Sequence, residues 1–220
     1  MNPTPPNSPL LISYLVLRKA IGVIGISLPA LLLFGALLIF KEGIQESISA
    51  YYHTDMGDVF VGALWAIGFF LFSYKGYEQP TFRSYRQDEI AGFLAFVFAL
   101  GTSLFPTAPE GHSCKVERIY CVHGVFAALL FLTLTFFSLF LFTKTRGSPT
   151  PQKLMRNKVY KVSGYIMLAA ILLVPVVYFL PDSVKAGIMP LNPVFWLEAI
   201  AVVAFGVSWL TKGEAILGDP

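Results

Sequence analysis

Three histidines, two cysteines and a few carboxylates and serines are the residues of this 220-residue chain whose types can do chemistry. His53 follows Ser49 by four positions, and Asp55 and Asp58 come soon after it. A Ser-x3-His spacing puts both side chains on one face of a helical turn. There His53 could bind a metal or act as a base, with Asp58 orienting its ring. His112 and His123 add two more imidazoles, and three histidines with carboxylates have the composition of a zinc shell. The plainer reading of residues 49–53 is a tyrosine-rich interfacial loop, because Tyr and Trp gather at the headgroup level whatever the function.

Two further features carry chemistry. Cys114 and Cys121 are separated by six residues, which is not the spacing of a CxxC redox pair. In an oxidising compartment a disulfide between them would staple the segment beside His112 and His123; two free thiols are the alternative. Glu198 stands inside an apolar run. An acid within a membrane span is costly and ordinarily faces a partner or a cavity, so it marks a functional site. By depth its partners would be His123, Asp58 or Ser103. The alternative is a Glu–His or Glu–Tyr pair that fixes helix packing.

The elements that must position these residues are read from composition and hydropathy. The chain is 55% hydrophobic and 13% charged, with a mean hydropathy of +0.67. A soluble domain carries about 25% charged residues, so lipid must cover much of this surface. The net charge of +3 brings no basic stripe interleaved with aromatics, which sets nucleic acid aside as a partner. A helix needs about 20 apolar residues to cross the hydrocarbon core. Runs at 20–40, 59–75, 90–107, 120–143, 162–180 and 194–210 predict six spans. The fold class is therefore all-α, a single polytopic domain built as a six-transmembrane-helix bundle. Residues 1–9 read as a disordered tail, and 10–17 as an interfacial segment or an extension of the first span. No small-residue cleavage site follows, so no processing is expected.

Counting Lys and Arg by side gives the orientation. Twelve fall on the side of the termini, and four (Lys41, Lys115, Arg118 and Lys185) on the other. That bias predicts both termini inside, with loops 41–58, 108–119 and 181–193 extracytoplasmic. The compact loops suggest a bacterial inner membrane. All three histidines, both cysteines, Ser49, Asp58 and Glu198 then collect toward the outer face. The loop between the fourth and fifth spans, with six basic residues, can attract anionic lipid. Gly62-x3-Ala66 and Gly124-x3-Ala128 read as close helix contacts, and the phenylalanines of the fourth span (Phe131, Phe136, Phe137, Phe140 and Phe142) as lipid-facing bulk. No internal repeat, phosphate loop, nucleophile elbow or HExxH motif occurs.

The stretch 46–64, ESISAYYHTDMGDVFVGAL, together with an acid after aromatics in the last span (Phe195, Trp196 and Glu198), carries a resemblance. The plan is similar to uncharacterised bacterial six-helix proteins. More distantly it resembles the superfamily of autophagy modulators and GPI-anchor lipid-remodelling proteins, which implies a lipid-related role. More narrowly, Ser49, Tyr52, His53 and Thr54 resemble the first metal motif of the alkaline ceramidase and adiponectin-receptor hydrolases. That likeness implies zinc, with His53 as a ligand and Asp58 as a loose match to the family aspartate. The family's HxxxH in the last helix is missing, so His123 and His112 would have to supply the other ligands. The expectation is a membrane protein that handles lipid or a lipid headgroup through a pocket of Ser49, His53, Asp58, His123 and Glu198. One alternative is a zinc-dependent hydrolase of lipid amides or esters, with Asp58 or Glu198 activating water and Ser49 steadying an oxyanion. Another is a non-enzymatic scaffold or transporter. Substrate and oligomeric state stay open.

Overall fold

The computed structural model describes residues 9–74, 82–109, 118–145 and 147–218. Among them no strand occurs, and seven helices of more than one turn follow in order: α1 (Pro9–Gly35), α2 (Gly57–Phe72), α3 (Phe82–Leu104), α4 (Ile119–Phe136), α5 (Pro151–Phe179), α6 (Asp182–Ile188) and α7 (Pro193–Lys212). α1 and α4 each continue through one wide turn, Ala36–Phe40 and Phe137–Leu141. The segment 10–17 extends the first helix, which begins at Pro9. Residues 1–8, His112 and Cys114 lie outside the described residues.

Four helical stretches are long and apolar enough to cross a bilayer: Tyr14–Phe40, Ile119–Leu141, Pro151–Phe179 and Pro193–Lys212. α2 is apolar but has 16 residues, a rise of about 24 Å against the ~30 Å hydrocarbon core. α3 has 23 residues, and its first turns carry Arg83, Arg86, Asp88 and Glu89 before the apolar run begins. The outer surfaces of these helices expose large apolar side chains throughout, among them Leu38, Phe140, Leu172 and Phe179. Such a surface is stable only against lipid or another apolar partner.

Glycines show how the helices are arranged. A Cβ on Gly206 would meet the Gly22 carbonyl oxygen and the Ile26 backbone nitrogen at 2.7 Å each, so α1 and α7 cross backbone against backbone there. Gly22 faces Leu210, Gly25 faces Gly206 and Gly213 faces Lys19, so these two helices run antiparallel. The start of α1 and the end of α7 therefore share one end of the bundle, the terminal end. The start of α7 and the segment after α1 occupy the far end. Gly62 and Gly124 have open space around them. The close contacts expected of their small-residue pairs are therefore absent, and Gly22, Gly25 and Gly206 make such contacts instead.

Two other expectations are corrected. The fourth–fifth loop is mostly helix. Thr150 caps α5, its hydroxyl accepting from the Lys153 amide at 3.1 Å, and Pro151 sits at the first helical position. Lys153, Arg156, Lys158 and Lys161 consequently stand on α5. The phenylalanines after α4 divide: Phe136 and Phe140 are exposed, but Phe137 and Phe142 are fully buried with Trp209 and Tyr160. Alternation about the helix axis, invisible in a uniformly apolar run, decides which faces in.

Candidate functional site

The segment leaving α1 is pinned across the start of α7. The Phe195 amide donates to the Glu46 carbonyl at 2.9 Å, and the Asn192 side-chain amide to the Ile44 carbonyl at 3.4 Å. The Ile48 amide donates to Glu198 Oε2 at 2.7 Å, and the Ser49 amide lies near the same carboxylate. Ile48 immediately precedes the short 3-10 turn Ser49–His53. Glu198 thus caps the open end of that turn from a different helix, where a negative charge is favourable. The Ser49 hydroxyl lies 3.1 Å from Ser47 Oγ, which in turn accepts from the Ala50 amide at 3.0 Å. Tyr51, fully buried, packs on Phe195 with ring centroids 6.1 Å apart.

The two described histidines hold a different segment. His53 Nε2 lies 2.8 Å from the Thr107 carbonyl oxygen, and His123 Nδ1 lies 2.8 Å from that of Phe105. A carbonyl only accepts, so in each pair the ring nitrogen is the donor. In a neutral ring this leaves His53 Nδ1 and His123 Nε2 as lone pairs. His123 Nε2 is buried without a partner among the described residues. Metal-bound imidazoles are oriented in the same way, one N–H on a carbonyl and the other nitrogen toward the ion. Zinc, however, takes at least three protein ligands, and among the described residues no three His, Cys, Asp or Glu side chains come together. His112, the third imidazole of the expected ligand set, lies outside the described residues.

The expected pocket therefore divides into two. Ser49 and Glu198 belong to the clamp on α7, and His53 and His123 to the segment after α3. The Thr107 carbonyl takes the orienting place expected of Asp58. Asp58, exposed in the first turn of α2, borders a 320 Å³ groove between α1 and α2 with Ser27 and Gly62. Ser103 donates to the Leu100 carbonyl at 2.9 Å, within its own helix. Cys121 lies in the first turn of α4, and the described residues include no free cysteine.

Two features went unread in the sequence. One is an apolar groove of 810 Å³ between α1, α5 and α7, walled by residues such as Pro29, Ile166, Trp196, Ile200 and Val203, with Lys158 at its edge toward the terminal end. The other is a buried cation cluster at the terminal end. The Arg18 guanidinium lies 4.3 Å from the Tyr14 ring and 5.6 Å from Tyr74, two near-parallel rings 6.4 Å apart. Lys212 Nζ lies 5.4 Å from the Phe142 ring. Tyr74 and Phe142 both pack edge-on against Trp209. Tyr14 and Arg18 stand four positions apart on α1, a spacing the sequence does show, but Tyr74 and Phe142 come from distant parts of the chain and leave no such signal.

No protein-family model, no curated protein and no solved structure matches this chain.

Proposed function

We propose that this protein is a multi-pass membrane protein that binds membrane lipid, seating an acyl chain in the groove between α1, α5 and α7. The carrying observation is the groove itself: 810 Å³, walled almost wholly by apolar side chains and opening outward from the bundle. Its volume falls within the range of about 300–1,000 Å³ that ligand sites occupy. A groove opening toward lipid is filled by lipid, and Lys158 at its edge suits an anionic headgroup. Six spans with both termini inside, α2 and α3 included, accord with the charge bias and with the shared end of α1 and α7. The polar residues of the far end then close the bundle at the outer face, and a Cys114–Cys121 disulfide would tie the chain before α4.

The test is photocrosslinking of the purified protein, reconstituted in bilayers, with a phospholipid carrying a photoactivatable acyl chain. Adducts should map to α1, α5 and α7. Ala30→Trp, at an exposed groove position, should reduce them several-fold, while Val23→Trp, outside the groove, leaves them unchanged. Adducts spread evenly over all apolar faces, or equal labelling in Ala30→Trp, would overturn the reading.

A second reading, a metal-dependent hydrolase of lipid amides or esters, is favoured by one observation: two imidazoles hold their N–H groups on neighbouring carbonyls and keep a lone pair each. Elemental analysis of protein purified without chelators tests it. Near-stoichiometric zinc in wild type, lost in both His53→Ala and His123→Ala, would support it; protein without bound zinc would remove it.

A further inference from the structure

The groove between α1, α5 and α7 differs from one end to the other. Its floor is a single face of α7, where Trp196, Ile200, Val203 and Val207 recur at helical spacing. Among the described residues, its one charged lining side chain is Lys158, exposed on α5 toward the terminal end. α5 starts beside the end of α7 there, with Arg156 4.0 Å from Glu214. The three aromatic rings of the lining, Phe34, Phe195 and Trp196, all stand at the opposite end, late in α1 and early in α7. Between the two ends the lining is small or aliphatic.

Length and depth give that polarity a meaning. From Trp196 to Val207 the floor rises about 16 Å, close to the ~15 Å that one leaflet contributes to the hydrocarbon core. Tryptophans commonly gather at the headgroup level, yet the apolar surface of the bundle runs on past these rings. α1 continues beyond Phe34 through the turn Ala36–Phe40, exposing Leu38 and Ile39, and α5 continues beyond the groove to the exposed Phe179. The rings are also held in place. Trp196 stands edge-on to Phe195 with centroids 5.0 Å apart. Phe195 is fully buried against Tyr51, with its amide on the Glu46 carbonyl.

We propose that the groove selects its lipid by acyl-chain length, with an anionic headgroup at Lys158 and the methyl end of the chain against Phe34 and Trp196. The inference rests on the lipid reading of the groove and adds to it the orientation and the length of the ligand. Apolarity alone selects nothing here, because lipid tails are as apolar as the helices that meet them. Fit does. A chain that ends short of the rings leaves a gap whose lining loses its contacts. A chain that is too long must leave the groove sideways, and forfeits the contacts of its last carbons. Phe34 and Trp196 are therefore the residues that determine specificity, and the clamp behind Phe195 keeps that stop from yielding.

The full-length protein in detergent is offered an equimolar mixture of lauroyl, palmitoyl and arachidoyl phosphatidylglycerols, and the lipids it retains are counted by native mass spectrometry. Palmitoyl chains, which fill one leaflet, should be retained roughly tenfold over arachidoyl chains, the low end of what an apolar site discriminates. Trp196→Ala and Phe34→Ala should each raise arachidoyl retention several-fold. Phe179→Ala, at an exposed ring outside the groove, should leave the preference unchanged. Lys158→Gln should lower retention of all three without altering their order. A further measurement does not depend on the alanine variants folding. Phosphatidylglycerol brominated near the methyl end of its chain should quench Trp196 more than one brominated near the carbonyl, with Trp196→Phe identifying that share of the emission among three tryptophans. Equal retention of the three chains, a preference unmoved in both alanine variants, or stronger quenching from the carbonyl end would overturn the length selection, while photocrosslinks confined to the groove would still stand. Photocrosslinks spread over all apolar faces would remove the lipid reading of the groove and the length selection with it.

Discussion

Removing the Glu198 side chain separates a clamp from a catalyst. In Glu198→Ala the Ile48 amide loses its acceptor at 2.7 Å. A hydrogen bond to a charged group contributes about 1.5–3 kcal/mol. One such bond at a half-buried site, partly replaced by water, puts the loss at about 1–3 kcal/mol. A chain of this size shifts by about 2–4 °C per kcal/mol, so the midpoint should fall by roughly 2–12 °C. Glu198→Gln keeps one side-chain oxygen as acceptor and gives up the charge, so it should lose about half as much. Thermal unfolding followed by intrinsic fluorescence, with hydrogen exchange on peptides covering 44–53, reads both effects. Exchange should accelerate locally, at residues 48–53, before any global change. If Glu198→Ala leaves both the midpoint and the exchange of 48–53 unaltered, the clamp does not hold the turn. A catalytic acid would behave differently, because Glu198→Gln would then abolish turnover at little cost in stability.

Other substitutions probe the packing. Tyr51 is fully buried with its hydroxyl unpartnered among the described residues, although the Gln45 backbone is near. Tyr51→Phe should therefore be neutral or stabilising by about 1 kcal/mol, and a fall in thermal midpoint would reveal a partner. Burial, reinforced by Glu42, raises the Tyr51 pKa above its usual value, against the lowering influence of Gln45. The folded state thus favours the protonated phenol. Its contribution is intact below the ordinary tyrosine range and is lost as pH rises through the raised value, so Tyr51→Phe should flatten the alkaline limb of a stability profile. Gly206→Ala should cost about 1–3 kcal/mol because its Cβ meets the backbone of α1. Gly62→Ala, with open space around it, should gain up to about 1 kcal/mol from helix propensity; equal effects in a melt would show that the α1–α7 crossing is wrong. Ser138 and Ser208, both buried with their hydroxyls 2.8 Å apart, should each cost about 1 kcal/mol as Ala, and the double variant less than the sum in a double-mutant cycle.

The sequence foretold where polar residues must concentrate better than it foretold what they touch. Apolar runs bounded by Lys, Arg, Pro and Gly mark helices through length and transfer cost, which act locally and survive without knowledge of neighbours. Glu198 was legible as a residue with a partner, because a carboxylate in an apolar run cannot be left alone. Its partner was not legible: backbone amides carry no signature in side-chain types, and Ile48 and Ser49 lie about 150 positions away. The same blindness separated His53 from Asp58. A Ser-x3-His spacing fixes which face of a turn the two share, but not that the Thr107 carbonyl, rather than a carboxylate, meets the ring. Gly62 and Gly124 misled for a related reason. Small residues permit close approach without requiring it, and the crossing that requires it pairs Gly25 with Gly206, where no four-residue spacing exists to be seen.

The two ends of the bundle differ in what their polar groups do. At the far end most of them join one stretch of backbone to another: Glu198 and Asn192 secure the segment after α1, and His53 and His123 secure the segment after α3. Replacing any one should loosen a segment before it alters a ligand. At the terminal end the polar groups are held by aromatic faces instead. Arg18 lies over the rings of Tyr14 and Tyr74, and Lys212 over that of Phe142, while Lys153 Nζ donates to the Phe142 carbonyl at 2.7 Å. A cation seated on rings that themselves pack on Trp209 joins the start of α1 to the end of α7, so replacing Arg18 should loosen that junction before it alters any other part of the bundle.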